Sequence, residues 1–126
     1  MNSKPDHPPF NVYAEHCPTR LVIDRLADKW AVLVLGLLER RSLRFNELRR
    51  EIEGISQKVL SQVLKKLERD GLVTRTAYPT VPVTVEYAIT PLGQTLTSTV
   101  AALTRWAEDN MPAILAAQRR YDSLSG

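Results

Sequence analysis

The segment GISQKVLSQVLKKLERDGLV, residues 54–73, constrains the fold of this chain more than any other part of it. Its valines and leucines recur every three or four residues, which predicts an amphipathic helix with one buried side. Ser56 can cap the start of this helix, and Ile55 and Leu60 are spaced as a hydrophobic staple. Gly71 can supply the left-handed residue that ends it. The segment therefore predicts a sharply bounded helix over about residues 57–69 with a polar side left uncovered.

Upstream of this segment, helical patterns are separated by short polar turns. A helix is expected to begin at Pro18, and residues 29–39 are apolar on almost every side, which is typical of a central core helix. The tripeptide LRF, residues 43–45, predicts a very short strand. NELRREI then predicts a third helix, which Asn46 can cap and Gly54 can end.

After Gly71 the pattern changes from helical to extended. LVTRTAYP and VTVEYAI are rich in β-branched and aromatic residues and flank the loop PTVP, which predicts two antiparallel strands with a protruding tip. Thr90 and Pro91 can cap and open a last long helix, in which Pro112 predicts a kink or a break. Three helices followed by a β-hairpin is the order of elements in a winged helix-turn-helix domain. The predicted fold class is mainly α with a small β-hairpin.

Charge and composition narrow the class of function. The net charge is +3, but residues 40–75 hold 10 Lys and Arg against 5 Asp and Glu, so the excess lies in the middle of the chain. A local excess of this kind suits a polyanion such as double-stranded DNA, although a solvated helical surface gives the same pattern. No apolar run approaches the roughly 20 residues that a membrane span needs, which predicts a cytoplasmic protein without a membrane partner.

The polar side of the predicted helix over 57–69 carries amide, hydroxyl and ammonium groups. Such side chains can bond base edges in a DNA major groove, and the candidates for base readout are Gln57, Lys58, Ser61, Gln62 and Lys65. Nearby cations are candidates for phosphate contacts: Arg41, Arg44, Arg49, Arg50 and Lys66.

Three stretches together resemble the HxlR family of winged-helix transcriptional regulators. They are CPTRLVIDRLADKWAVLVLGLL, LRFNELRREIEGISQKVLSQVLKKLERDGLVTR and YPTVPVTVEYAITPLGQTL, within residues 17–106. The resemblance implies a homodimer on palindromic promoter DNA that acts as a repressor. It implies that residues 57–67 are the reading helix and that the first and last helices form the dimer interface.

The resemblance also places the wing at the hairpin loop, with Pro79, Thr80, Val81, Pro82 and Thr84 as its residues. Members of the family usually have PPR after the wing valine, whereas this chain has PVT at Pro82, Val83 and Thr84. The missing arginine removes one expected contact of the wing with DNA. It also motivates an alternative function, a winged helix that binds another protein and has no DNA specificity of its own.

The dimer residues expected from this reasoning lie on the two terminal helices: Leu21, Leu96, Val100, Leu103 and Trp106. The predicted organisation is a flexible arm over 1–15, a DNA-binding domain over 16–110 and a C-terminal helical tail over 111–126.

Cys17 is the one cysteine, which excludes an internal disulfide and a Cys-rich zinc module. At a helix N-terminus it is either a small buried residue or a reactive thiol that senses an oxidant or electrophile. A small effector molecule is a further expectation. The sequence has no nucleophile–base arrangement, Gly-rich phosphate loop or paired carboxylates, so we expect neither an enzyme, a cofactor nor a metal site.

Overall fold

The computed structural model describes residues 13, 18–20, 23–24 and 28–125 of the chain. Thr19–Arg20 and Ile23–Asp24 are helical, in agreement with a helix that begins near Pro18. The elements that follow are α1 (Lys29–Leu38), β1 (Leu43–Arg44), α2 (Phe45–Glu51), α3 (Gln57–Arg69), β2 (Val73–Tyr78), β3 (Thr84–Ile89) and α4 (Pro91–Ser125).

Helix α1 lies at the centre of the domain, as its apolar sequence predicts. The Asp28 carboxylate caps its start by accepting the backbone N–H of Trp30 at 2.9 Å. Helix α1 contacts α3, α4 and β3, so three elements pack around it. Its four buried residues are Ala31, Val34, Leu35 and Leu38.

Helix α2 begins two residues earlier than a cap at Asn46 would place it. The predicted Asn46 cap is wrong, because the chain leaves β1 directly into helical geometry at Phe45 and Arg44 occupies the capping position. The Glu47 carboxylate reaches back and accepts the Arg44 backbone N–H at 2.8 Å, so it satisfies a donor at the start of the helix.

A three-stranded antiparallel sheet has the order β1-β3-β2. The hairpin of β2 and β3 was predicted, and its register runs from Val73 opposite Ile89 to Tyr78 opposite Thr84. The two-residue strand β1 joins β3 on its other edge, with Leu43 opposite Tyr87. Both of these side chains are buried, so β1 ties the sheet to the helical core.

The long helix α4 runs without interruption through Pro112, so of the predicted kink or break the break does not occur. A proline inside a helix removes one backbone hydrogen bond, here to the carbonyl of Glu108. Both Glu108 and Pro112 are exposed, which leaves that carbonyl open to water. The predicted division between residues 110 and 111 consequently falls inside one continuous helix.

A joint of hydrogen bonds connects the end of α3 to the start of α4. The Thr90 hydroxyl donates to the Gly71 carbonyl at 2.6 Å and accepts the Gly93 backbone N–H at 2.9 Å, while the Thr90 N–H donates to the Leu72 carbonyl at 3.0 Å. Gly93 is buried, and a Cβ there would collide with the Leu72 carbonyl and the Ile89 side chain. A side chain at position 93 would therefore force α4 away from the hairpin.

One hydrophobic core joins all of these elements, and its members include Leu48 of α2, Leu60 and Leu64 of α3, and Val73 of β2. This arrangement of helices around a small antiparallel sheet is a winged helix-turn-helix. The predicted fold class is confirmed. No helix within the described residues is long and apolar enough to cross a membrane.

Candidate nucleic-acid interface

The apolar side of α3 anchors this helix in the core. Leu60, Leu64 and Leu67 are no more than 1% exposed and Val63 is 5% exposed, while Val59 is partly buried against the same core. Because these positions follow the helical repeat, burying them fixes which side of α3 turns outward. The predicted orientation of the helix is correct.

Both ends of α3 are fixed by local bonds that the sequence predicts. The Ser56 hydroxyl accepts the Val59 backbone N–H at 3.1 Å, and Gly54 before it has φ +90°. At the other end the Gly71 N–H donates to the Glu68 carbonyl at 3.0 Å and the Leu72 N–H to the Leu67 carbonyl at 2.9 Å. With Gly71 at φ +79°, this is a Schellman motif.

The outward side of α3, which we call the polar face, consists of Gln57, Lys58, Ser61, Gln62 and Lys65. All of these residues are exposed except Ser61, which is partly buried. No other element of the described chain packs over them. The five residues proposed for base readout are therefore brought together on one accessible surface.

The polar face divides into two rows. Gln57, Ser61 and Lys65 line a cleft of about 550 Å³ between α3 and the sheet, which we call the wing cleft. Its remaining walls are Phe45, Glu68, Arg75, Val85 and Tyr87. Lys58 and Gln62 lie outside this cleft. The first row thus belongs to a concave surface and the second to the convex ridge of the helix.

The predicted phosphate-binding cations lie on several elements of the domain. All five are exposed, on the turn before β1 and on β1, α2 and α3: Arg41, Arg44, Arg49, Arg50 and Lys66. Arg49 and Arg50 line a depression of about 320 Å³ together with Asn46. Within the part of the chain that the structure describes, Arg41 alone among the five has an ion pair, 3.9 Å from Glu47. The other four cations form no ion pair there.

Glu47 is an acid that lies among three of these cations. The pKa of its carboxyl lies below the ordinary value because it accepts the Arg44 backbone N–H, and because Arg41, Arg44 and Arg50 carry positive charges nearby. Its charged form is therefore favoured at neutral pH, where it holds the start of α2 and partly offsets Arg41.

The wing is the exposed loop between β2 and β3, as predicted. The Thr80 hydroxyl donates to the Pro82 carbonyl at 2.8 Å and lies 2.9 Å from the Thr84 hydroxyl, so the tip is held by its own bonds. Val81 is fully exposed. No lysine or arginine occurs between positions 79 and 84, which leaves the tip without positive charge.

The predicted dimer residues on α4 fall into two groups. Val100 is 4% exposed and Leu96 packs against the core, so both are covered within their own chain. Leu103 and Trp106 are 46% and 57% exposed. Leu21 and Cys17 lie outside the described residues. Among residues that are described, no group of three His, Cys, Asp or Glu side chains could hold a metal ion.

Sequence reasoning missed two charged residues of this surface, one on α3 and one on the sheet. Arg75 and Glu68 line the wing cleft beside Lys65, and neither was singled out. The structure explains the position of Arg75, which lies two residues after the buried Val73. Alternate residues of a strand share a face, so this spacing places Arg75 on the side of the sheet that faces α3.

Comparison with known proteins agrees with this geometry. The profile of the HxlR-like helix-turn-helix family matches residues 25–114, which is well over half of the chain. The chain belongs to this family. The HxlR-type protein is therefore a helix-turn-helix transcriptional regulator, and the family to which it belongs consists of regulators rather than enzymes.

Its relatives carry the same description. YtfH of Escherichia coli K12, described as an HTH-type transcriptional regulator, is 48% identical over 106 residues, which are 84% of each chain. The structure of YtfH from Salmonella typhimurium, described as a putative transcriptional regulator, superposes with a TM-score of 0.82 at 44% identity, over 87% of this chain and 98% of that one. The redox regulator HypR in its oxidised form matches with a TM-score of 0.69 at 37% identity, over 75% and 97%.

Proposed function

We propose that this HxlR-type protein is a sequence-specific regulator that binds palindromic promoter DNA as a homodimer in the cytoplasm and represses transcription. The observation that carries the proposal is the polar face of α3, which is accessible and opposite a fully anchored apolar side. Family membership supports DNA as the partner.

The chemistry of the polar face supports base readout. The side chains of Gln57 and Gln62 can bond an adenine edge with two hydrogen bonds, while Lys58 and Lys65 can reach guanine or a phosphate. Ser61 can donate to or accept from either kind of group. Four of these five residues lie in the first two turns of α3, the part of a recognition helix that reaches base edges.

Phosphate contacts supply most of the attraction in this proposal. Arg44, Arg49, Arg50 and Lys66 carry charges without ion pairs in the described chain, and each cation that neutralises a phosphate releases counterions. We expect affinity to fall steeply as salt is raised, with about 0.9 added to the logarithmic slope for each phosphate contact.

A homodimer is proposed from the distal half of α4. Beyond the domain core, residues recur at alternating intervals of four and three: Leu103, Ala107, Asn110, Ile114, Ala117, Tyr121 and Leu124, which we call the distal stripe. This is the spacing of a helix–helix seam. Tyr121 and Leu124 are 71% and 88% exposed, and Trp106 lies next to the stripe. A second copy of the same helix would cover it by an isologous contact.

Two substitutions on the polar face test DNA recognition. Lys58→Ala and Gln62→Ala should each weaken binding to the protein's own promoter about tenfold or more, measured by fluorescence anisotropy at two salt concentrations. Lys29→Ala and Gln94→Ala are matched controls, because both residues are exposed on helices away from the polar face. Wild-type affinity in both polar-face variants would show that α3 is not the reading helix.

The alternative function, a module that binds another protein, has its own outcome. A wild-type protein that retains no duplex DNA at physiological salt but holds a stoichiometric protein partner would replace the DNA proposal. The uncharged wing tip is the feature that motivates this alternative function.

The proposed input is an oxidant, an electrophile or a small effector. HypR among the structural neighbours is a redox regulator, and Cys17 is the thiol through which such a signal would act in this chain. With a single cysteine, oxidation would give an intermolecular or mixed disulfide. Loss of promoter binding on diamide treatment, absent in Cys17→Ser, is expected for redox input. Equal binding of both proteins with and without diamide would leave Cys17 with a packing role.

A further inference from the structure

The wing cleft has one wall from the recognition helix and one from the sheet. The helix side is polar and cationic, with Gln57, Ser61 and Lys65 in one row. The sheet side adds Arg75 above an apolar floor that includes Val85 and the mostly buried Tyr87. Such a cleft combines two cations with apolar surface, and it opens to solvent along the edge of the polar face.

Strand geometry explains why Arg75 reaches this cleft. Val73 is 2% exposed and faces the core, so the alternation of β2 puts Arg75 on the same side of the sheet. Its cross-strand partner is Tyr87, which is 8% exposed and shares that face. The Arg75 side chain is exposed, although Val73 and Tyr87 on the same face of the sheet are buried.

The charge of Arg75 is not used elsewhere in the described chain. Glu68 lines the same cleft, yet no ion pair joins the two residues. The wing tip beyond Arg75 carries no cation between positions 79 and 84. Arg75 is therefore the one positively charged side chain of strands β2 and β3. It lies at the base of the wing rather than at its tip.

We propose that the wing cleft holds the sugar–phosphate backbone of one DNA strand, with Arg75 as a phosphate anchor opposite Lys65. This inference rests on the proposed DNA-binding function. A guanidinium can bond two oxygens of one phosphate, whereas the ammonium of Lys65 acts as a point charge. The apolar side chains of Phe45 and Val85 can contact the deoxyribose between phosphates. Arg75 thus takes the place of a cation at the wing tip.

Glu68 provides a second test of the proposal, in which the change in DNA affinity should be opposite to that at Arg75. Its carboxylate lines the same cleft and would repel a phosphate placed there. Removing this charge should strengthen binding, whereas removing the charge of Arg75 should weaken it. Two neighbouring cleft residues with opposite effects would locate the backbone in the cleft.

The test uses Arg75→Ala and Arg75→Gln in the full-length protein, with anisotropy measured on promoter DNA and on an unrelated duplex. Both variants should bind about tenfold more weakly to both duplexes, and the logarithmic salt slope should shrink by about 0.9. In phosphate-ethylation interference, one phosphate in each half-site whose ethylation weakens wild-type binding should no longer affect binding of the variants. Glu68→Gln should bind both duplexes more tightly than wild type.

Arg105→Ala is the matched control, because Arg105 is an exposed arginine on α4 that does not line the cleft. It should leave the affinity and the interference pattern unchanged. Wild-type affinity and slope in both Arg75 variants would overturn the inference while the DNA-binding function stood. A loss confined to promoter DNA would also overturn it, since Arg75 would then read a base. A wild-type protein that binds neither duplex would instead refute the proposed function itself.

Discussion

Helices α3 and α4 each leave one side uncovered, but the two sides have opposite chemistry. On α3 the leucines are buried and the amide and ammonium groups face outward. On the distal half of α4, leucine, isoleucine and tyrosine recur along the uncovered side. A solvated polar face with uncompensated cations suits a polyanion, while an exposed apolar stripe suits another protein surface. Exposure alone identifies a surface, and its chemistry identifies the partner.

The largest expected effect comes from making the same substitution on both helices. Leu64→Ala in α3 should lower the free energy of unfolding by about 2–5 kcal/mol, because it leaves a cavity at a fully buried position. Leu124→Ala in α4 should change it by less than about 0.5 kcal/mol in dilute solution, since that side chain is 88% exposed. Urea denaturation of both variants measures the difference, and equal losses would contradict the contrast.

Next in size is a change that targets the distal stripe. The double variant Leu103→Glu, Trp106→Glu should convert the proposed dimer to a monomer, because it would bury unpaired charges in an apolar seam. Light scattering after size exclusion should show half of the wild-type mass, with the circular dichroism spectrum retained. Arg105→Glu is the control, as Arg105 lies off the stripe and is already exposed to water. An unchanged mass in the double variant would exclude this seam.

Two serines of the recognition segment should separate stability from binding. Ser56→Ala removes the N-cap hydroxyl and should cost about 1 kcal/mol of unfolding free energy. Ser61→Ala removes a hydroxyl of the polar face, so it should weaken DNA binding while changing stability by less than about 0.5 kcal/mol. Urea denaturation and anisotropy on the same preparations provide both readouts. Equal stability of the two variants would show that the Ser56 cap contributes nothing.

The smallest expected effect concerns Glu47 and the cations around it. The pKa of this carboxyl in the folded protein lies below its ordinary 4.5, so its contribution to stability is present above that pH. The contribution is lost as the pH falls through the lowered pKa. Wild-type stability should therefore decline more than that of Glu47→Gln between pH 4.5 and more acidic solutions. Glu53→Gln should follow the wild-type curve, and parallel curves for all three proteins would exclude the linkage.

The sequence predicts those parts of the fold whose signals are local. The bounds of α3 follow from Ser56, from Gly71 and from the leucine repeat between them, all within one short segment. The cap of α2 was mispredicted because β1 passes into the helix without a turn, which depends on the pairing of Leu43 with Tyr87 far along the chain. The helix does not break at Pro112, because an exposed helix can give one carbonyl to water.

The candidate interface divides in the same way. The polar face could be predicted because the helical repeat assigns each residue a side. The wing cleft could not, because it exists only once α3 and β2 are placed against each other. VTRTAY alternates threonines with one valine, one arginine and an alanine, so neither face of this strand is recognisably apolar by sequence. The face of Arg75 is decided by the burial of Val73 and Tyr87, which the sequence does not show.

The joint at Thr90 and Gly93 would give the long helix a mechanical role in the proposed dimer. The hydrogen bonds from Thr90 to Gly71 and Leu72 fix the start of α4 directly to the end of α3. The 35 residues of α4 extend about 52 Å from this pivot. In the proposed dimer, α4 would act as a lever, so that a slight tilt between the two subunits swings each recognition helix relative to the groove. A signal would then need to alter only the crossing angle of the two levers to change the spacing of the recognition helices.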